Sequence, residues 1–464
     1  HVDDAAPSGA AGENAASSQA PDEPQENDDD ALRRPEAPRC GQDPQSQAFA
    51  PPGRIDPLNG AHWMAAAESV GKRVVVHFPG FEPLNAAAHY ERFERTAAQS
   101  ADVWNCRFDI GPLQDTATAA CFEVVGSGPN WRTDATVFIL EHHAWMSAAL
   151  AEPRLVQLPK GYAAFLKAIA LGGLRGYLRH AWRFAVFCLL YPFVIVGIGI
   201  VAALAMAALP WLLGFSAWHI LWSLPLGAAL FWYVHLPWTD RFHALLLFSD
   251  WRFAVAMATL DDAAANRRLA ECEVALRAAL DRPADEYVIT SHSMGTILAA
   301  HALGAILQSD PDALAGKRVI FATLGGALLQ SALLRPAVVL RERAGLVLRA
   351  PQVYWFDVQS LNDPIHFYKS NVARALGHDD TPTPQPVFFR LKNILTPERY
   401  KRVKRDVLRI HRQYVLGLDR RGPFDFTLLA AGPLPAASFA RFTQHALPPI
   451  GDDGALLRAT VAAA

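Results

Sequence analysis

The sequence predicts an α/β fold, a mostly parallel sheet with helices on both faces, interrupted in mid-chain by a two-helix transmembrane hairpin. Three observations carry this expectation. Between about residues 262 and 391, runs of β-branched and aromatic residues alternate with helical patterns, the signature of parallel strands joined by crossover helices. A stretch of about 56 residues, 184–239, holds no Asp, Glu, Lys or Arg. The β-forming run Tyr287-Val288-Ile289-Thr290 stops at Ser291-His292-Ser293-Met294-Gly295 and turns at once into a helical pattern.

Taken in order, residues 1–54 are rich in Asp, Glu, Pro, Ser and Ala with almost no large apolar side chains, so they read as a disordered tail. Residues 55–160 form the first part of the α/β domain. Arg73–Phe78 is a buried strand running into Pro79-Gly80, and further strands are expected at Val103–Asp109, Cys121–Val125 and Ala135–Leu140. Over 161–183, Arg175, Arg179 and Arg183 recur every fourth residue among Leu174, Leu178 and Trp182, which predicts a basic amphipathic helix at a membrane interface.

Pro210-Trp211 divides 184–239 into two apolar runs of about 26 residues, each about 39 Å long as a helix against a hydrocarbon core of about 30 Å. Tilt, or kinks at Pro192 and Pro225, absorbs the excess. The bland alternative is a buried helical pair in a large soluble core. Residues 240–464 form the second part of the domain, with a helix over 262–281 and Thr296–Leu307, and strands at Arg318–Ala322, Val353–Val358 and Pro386–Leu391. Basic residues flank both apolar runs while the central turn has none, so the soluble parts are expected on the cytoplasmic side of a bacterial inner membrane.

A formal net charge of −2 argues against nucleic acid as a partner. Five scattered cysteines without a CxxC pair suggest a reducing compartment and no disulfide or zinc framework. Glu141-His142-His143 is read as strand residues pointing to opposite faces, and no P-loop, GxGxxG turn or HExxH is present.

The chemistry concentrates around Ser293. Ser291 and Gly295, two before and two after it, are small enough for a strand and a helix to pack tightly around a turn. An ordinary strand-to-helix turn is the competing reading. The strand Val353–Val358 leads into a loop containing Asp363-Pro364, beyond the strand's carboxyl end where sites of open α/β sheets form. His411 is the first histidine after the strand Pro386–Leu391. Asp357 and His366 are the rival acid and base.

With these residues the chain resembles the α/β-hydrolase superfamily over roughly 70–125 and 285–415, departing from its GxSxG turn by Ser291 at the first glycine. The chain order Ser293, Asp363, His411 is that of the superfamily's triad. The resemblance implies a lipase- or esterase-like serine hydrolase in which Ser293 attacks, His411 carries the proton and Asp363 orients His411. It further implies an oxyanion hole from the amide of Met294 and that of Gly80 or Phe81, since Pro79 has no N–H. No metal or organic cofactor is expected. The expected partners are the lipid bilayer and an acyl-ester or lipid substrate. A thioesterase or acyltransferase on the same triad, or a catalytically silent module that binds partners or senses the membrane, are the alternatives.

Overall fold

The computed structural model of the chain describes residues 69–240 and 243–457. The tail expected over 1–54 lies outside these residues. Nine strands make one sheet: β1 (Lys72–Phe78), β2 (Arg107–Ile110), β3 (Gln114–Asp115), β4 (Ala120–Gly128), β5 (Trp131–Ile139), β6 (Glu286–His292), β7 (Val319–Leu324), β8 (Val353–Ser360) and β9 (Gln385–Phe389). Their order is β2-β4-β5-β1-β6-β7-β8-β9, with β3 paired to β4. From β5 to β9 every pairing is parallel, while β2, β3 and β4 form an antiparallel edge. The expected class, α/β with a mostly parallel sheet and helices, is what the structure has.

Alternation along β1 explains the two cores. Val74, Val76 and Phe78 face one apolar cluster, and Val75 faces the other. On the second face lies α1 (Ala86–Trp104), started by Asn85, whose side chain accepts from the Ala88 amide, and ended by Asn105 in a left-handed conformation. That helix consumes Val103 and Trp104, so the strand expected at Val103–Asp109 begins only at Arg107. Helix α2 (His143–Ala151) starts directly after β5, so His142 and His143 sit at a helix start and not on a strand.

The segment expected to be one basic helix over 161–183 is two. Helix α3 (Arg154–Ala170) ends, Gly172 turns at φ 92°, and α4 (Gly173–His180) begins. Arg175 and Arg179 stay four apart on α4. A second break at Ala181 separates Arg183, whose guanidinium lies over the Tyr368 ring at 4.9 Å.

The uncharged stretch forms α5 (Trp182–Leu212), then α6 (Ile220–Leu230), a π-helical turn Phe231–His235 and α7 (Leu236–Asp240). The two arms pack as a hairpin: Ser223 Oγ donates to Ala207 O at 2.7 Å, and Gly227 lies against Ala203. Among the described residues, Ala217–Thr239 is the one helical segment long and apolar enough to cross a membrane, and Val196–Leu212 is a shorter apolar stretch.

The chain then returns through α8 (Ala244–Thr259) and α9 (Ala263–Leu280), the latter capped by Asp262, to β6. After β6 come α10 (Gly295–Ser309), α11 (Leu328–Ala332), α12 (Val338–Arg349), α13 (Val372–Leu376), α14 (Leu391–Ile394), α15 (Pro397–Val403) and α16 (Val407–His411).

A fully buried ion pair fixes β1 beside β6: Arg73 Nε donates to Glu286 Oε1 at 2.7 Å. The remaining Arg73 donors go to the carbonyls of Leu429, Gly432 and Leu434, so neither charge is left unmet. With that register Phe78 pairs with Ser291, and the loop after β1 emerges next to the turn after β6. Contrary to the expectation of unpaired cysteines, Cys121 of β4 is disulfide-bonded, whereas Cys106 and Cys272 are free thiols. Sequence spacing fails here because a disulfide depends on spatial proximity.

Candidate active site

Ser293 occupies the junction between β6 and α10 with φ 51°, a left-handed conformation uncommon for a residue with a side chain. The turn is held from below. The Ser293 amide donates to Leu324 O at 3.1 Å, and the Ser293 carbonyl accepts from Ala327 and Thr296. Gly295 is required by proximity: a Cβ there would lie 2.3 Å from Pro79 O and 2.4 Å from Phe78 O. Ser291, in contrast, has room for its side chain, and its hydroxyl donates to Thr296 Oγ1 at 3.1 Å. The missing first glycine is thus accommodated by a buried hydroxyl pair.

His411 ends α16 and is buried. Its Nδ1 lies 2.7 Å from Asp363 Oδ2, and Asp363 is fully buried in the loop after β8. Tyr414 Oη donates to the same carboxylate oxygen at 3.0 Å, and the Ile365 amide donates to Oδ1 at 2.9 Å. Burial alone would raise the Asp363 carboxyl, but the neighbouring His411, together with His366, holds it well below the usual carboxylate range. With Nδ1–H given to Asp363, a neutral His411 presents Nε2 as a bare acceptor, and this buried atom has no hydrogen-bond partner. Ser293 and His411 therefore share a cavity without being bonded to each other.

The rivals fall elsewhere. His366 Nδ1 sits 3.4 Å from Asp363 Oδ2, the oxygen that His411 approaches more closely, and His366 does not line the Ser293 cavity. Asp357 accepts from Thr323 Oγ1 at 2.6 Å and from Gln359 Nε2 at 2.7 Å inside the sheet; burial raises its carboxyl.

The loop after β1 lies against Ser293. A Cβ on Gly80 would be 3.3 Å from Ser293 Cβ and 2.5 Å from His292 Nδ1. Among the described residues, none of the turn, loop or side-chain hydrogen bonds uses the amides of Gly80, Phe81 or Met294, which leaves them free to meet a developing negative charge. His142 Nε2 donates to Pro79 O at 3.1 Å and steadies this loop. On its other side His292 Nε2 donates to His411 O at 2.9 Å; burial, with His411 next, lowers the His292 imidazole to about 3 and keeps it neutral. Glu82 holds Arg92 at 2.5 Å and Arg412 at 2.9 Å. Burial works against its charge, but the two guanidinium groups bring Glu82 down to about 2.

Ser293, His411, Phe81, Leu247, Asp250 and Arg412 are among the residues around a cavity of about 30 Å³, space for about one water. Asp250 brings an unforeseen group. One of its oxygens is sealed and unpartnered, and burial raises its carboxyl well above the ordinary value. Two sequence signals were available: Asp250 is the one acidic residue in the apolar run Ala244–Thr259, and Tyr414, which donates to Asp363, stands three residues after His411. No group of three or more metal-ligating side chains occurs among the described residues.

The arrangement has what acyl transfer needs: a hydroxyl on a strained turn, an imidazole anchored at one nitrogen and open at the other, and two converging sources of unused amides. Against known proteins, no family model, no curated protein and no solved structure matches the chain.

Proposed function

We propose that the protein is a membrane-anchored serine hydrolase of the α/β-hydrolase type that cleaves a carboxylic ester of an acyl lipid or lipid-like substrate. The observation that carries this reading is Ser293 at φ 51° between β6 and α10, sharing a cavity with a His411 whose far nitrogen is tied to Asp363 at 2.7 Å. Ser293 Oγ attacks the ester carbonyl carbon while His411 Nε2 takes the hydroxyl proton. The oxyanion is met by the amides of Met294 and of Gly80 or Phe81. His411 then gives the proton to the departing alcohol, and water cleaves the acyl-serine by the same relay. No step calls on a cofactor.

The lipid part of the reading rests on the apolar hairpin and on α8, which follows it closely and contributes Leu246, Leu247 and Asp250 to the Ser293 cavity. Ala217–Thr239 is the described segment long and apolar enough to cross a bilayer, and the 31-residue α5 packed beside it has the length, about 46 Å, to accompany it with tilt. The basic flanks favour a cytoplasmic soluble part. The Cys121 disulfide pulls the other way, since disulfides persist in oxidising compartments. Protease accessibility in spheroplasts against inverted vesicles decides the side.

The test of the chemistry is labelling by a fluorophosphonate, which needs an activated serine and no known substrate. The intact protein labels and Ser293→Ala does not; labelling that survives the substitution refutes the assignment. The absence of a Ser293–His411 hydrogen bond and the small cavity favour a second reading, a catalytically silent module, and a wild-type protein that never labels in bilayers or detergent would support it. Apo hydroxyl–imidazole bonds are commonly long and tighten only with substrate, which is why hydrolysis is preferred here. Replacing 184–239 by a short linker tests the lipid part. If long-chain esters in bilayers and short soluble esters are still cleaved as by the intact chain, the hairpin has no role in substrate access.

A further inference from the structure

Away from the serine, an open cleft of about 890 Å³ lies between α4, the segment that enters α12, and α13. Its walls carry Arg179 and His180 from α4, Arg335 and Arg341 around the start of α12, and Arg374 with Asp379 around α13. Four guanidinium groups thus face one carboxylate, and that carboxylate is already committed to Arg374 at 3.1 Å.

The cationic groups are arranged in two tiers. Arg341 forms a fixed floor: it is half-buried, and its donors go to the carbonyls of Ala332, Leu334 and Arg335. Those carbonyls hold the guanidinium in place without neutralising it. Around the rim, Arg179, Arg335 and Arg374 are exposed. Arg335 spends one nitrogen on Ala170 O, whereas no hydrogen bond or ion pair engages Arg179 among the described residues. Such a concave set of guanidinium groups, one of them with a spare fork, suits the tetrahedral oxygens of a phosphate ester.

Location narrows the occupant. Arg179 and His180 precede Trp182, the first residue of the apolar α5, and Trp182 is 65% exposed. The cleft therefore stands at the foot of the hairpin, at the level where a bilayer presents its headgroups. We propose that this cleft binds the phosphate of an anionic phospholipid headgroup and seats the soluble part against the bilayer. The choice of a lipid over a soluble phosphate rests on the membrane reading of the hairpin given above.

The experiment uses the full chain in detergent micelles, titrated with phosphatidylglycerol, with phosphatidylcholine and with inorganic phosphate, and bound ligand is counted by native mass spectrometry. Phosphatidylglycerol is expected to bind at least tenfold more tightly than phosphatidylcholine, and inorganic phosphate to compete weakly. The double variant Arg179→Gln, Arg374→Gln removes two rim charges and leaves the Arg341 floor intact; it should weaken phosphatidylglycerol roughly 30-fold and abolish the preference. Equal binding of the two lipids, or a preference that survives in the double variant, overturns the proposal. Inorganic phosphate binding as tightly as the lipid overturns the lipid assignment in favour of a soluble phosphate ligand. Washing membranes with alkaline carbonate tests the spanning reading separately: a chain released by the wash is not integral, whatever the cleft binds.

Discussion

Replacing Ser293 by glycine and by alanine separates what the turn costs from what the hydroxyl does. Both variants lack Oγ, and among the described residues that hydroxyl makes no hydrogen bond, so its loss affects both alike. They differ in the backbone. At φ 51° alanine retains the left-handed strain of about 1–2 kcal/mol that glycine escapes. Glycine gives back about 0.5–1 kcal/mol through its larger freedom in the unfolded chain. At the middle of these ranges the difference leaves Ser293→Gly more stable than Ser293→Ala by about 0.75 kcal/mol, a shift in Tm of no more than about 2–4 °C. Scanning fluorimetry of the two variants in the same detergent reads it, and neither should label with a fluorophosphonate. A glycine variant equal to or less stable than the alanine one refutes the idea that the fold holds this residue under strain. The site would then lose the feature that most distinguishes it from an ordinary turn.

His411→Ala should lower the rate of fluorophosphonate acylation by roughly 10⁴-fold or more, and His366→Ala by far less; a larger loss for His366 would make it the base. Gly295→Ala places a methyl 2.3–2.4 Å from the carbonyls of Phe78, at the end of β1, and Pro79, in the loop held by His142, so it should cost about 1–3 kcal/mol or more and move the loop of Gly80 away from Ser293. Normal stability and labelling in that variant would contradict the close approach. Burial raises the Asp250 carboxyl, so the stability it supports is present below the ordinary carboxylate range and is lost as pH rises through the raised folded value. Asp250→Asn should therefore gain on the wild type as pH rises above the ordinary carboxylate range in denaturant titrations, and parallel profiles for the two proteins would sink the assignment.

Much of the frame was legible because strand and helix signals here are local. Val74–Phe78, Tyr287–Thr290 and Val353–Val358 are β-branched or aromatic runs, and each lies within a strand. That Ser293, Asp363 and His411 lie near one another was legible for a different reason: Ser293 and Asp363 follow the carboxyl ends of strands, and the order in which to look for His411 came from the resemblance. What escaped depends on distance in sequence. Nothing near Glu82 announces Arg412, 330 residues away, and nothing near Arg73 announces Glu286, 213 residues away. The strands over Val103–Asp109 and Cys121–Val125 were legible, but their antiparallel pairing and the two-residue β3 were not, because strand direction is set by partners in space and two residues carry no pattern. The break at Gly172 escaped because arginines spaced by four satisfy a helical pattern whether or not the backbone between them is continuous.

The cavity beside Ser293 joins these threads. At about 30 Å³ it holds roughly one water, so an acyl group enters only if a wall moves. One wall, Phe81 and Glu82, is pinned, because Glu82 is clamped by Arg92 and Arg412 and its loop by His142. A second wall, Leu408 to Arg412, carries His411 and is tied to the same Glu82 and to Asp363. The third is the first half of α8, with Leu246, Leu247 and Asp250. Its far half is anchored where Ala254 O accepts from Ser331 Oγ, but its start at Ala244 stands four residues beyond the end of α7, the last helix of the hairpin. The wall that carries no triad residue and no clamp to Glu82 is thus the one continuous with the apolar helices. In the hydrolase reading, the hairpin is an insertion whose position in the bilayer bears on whether the serine is covered, a role that an anchor at either terminus would not have.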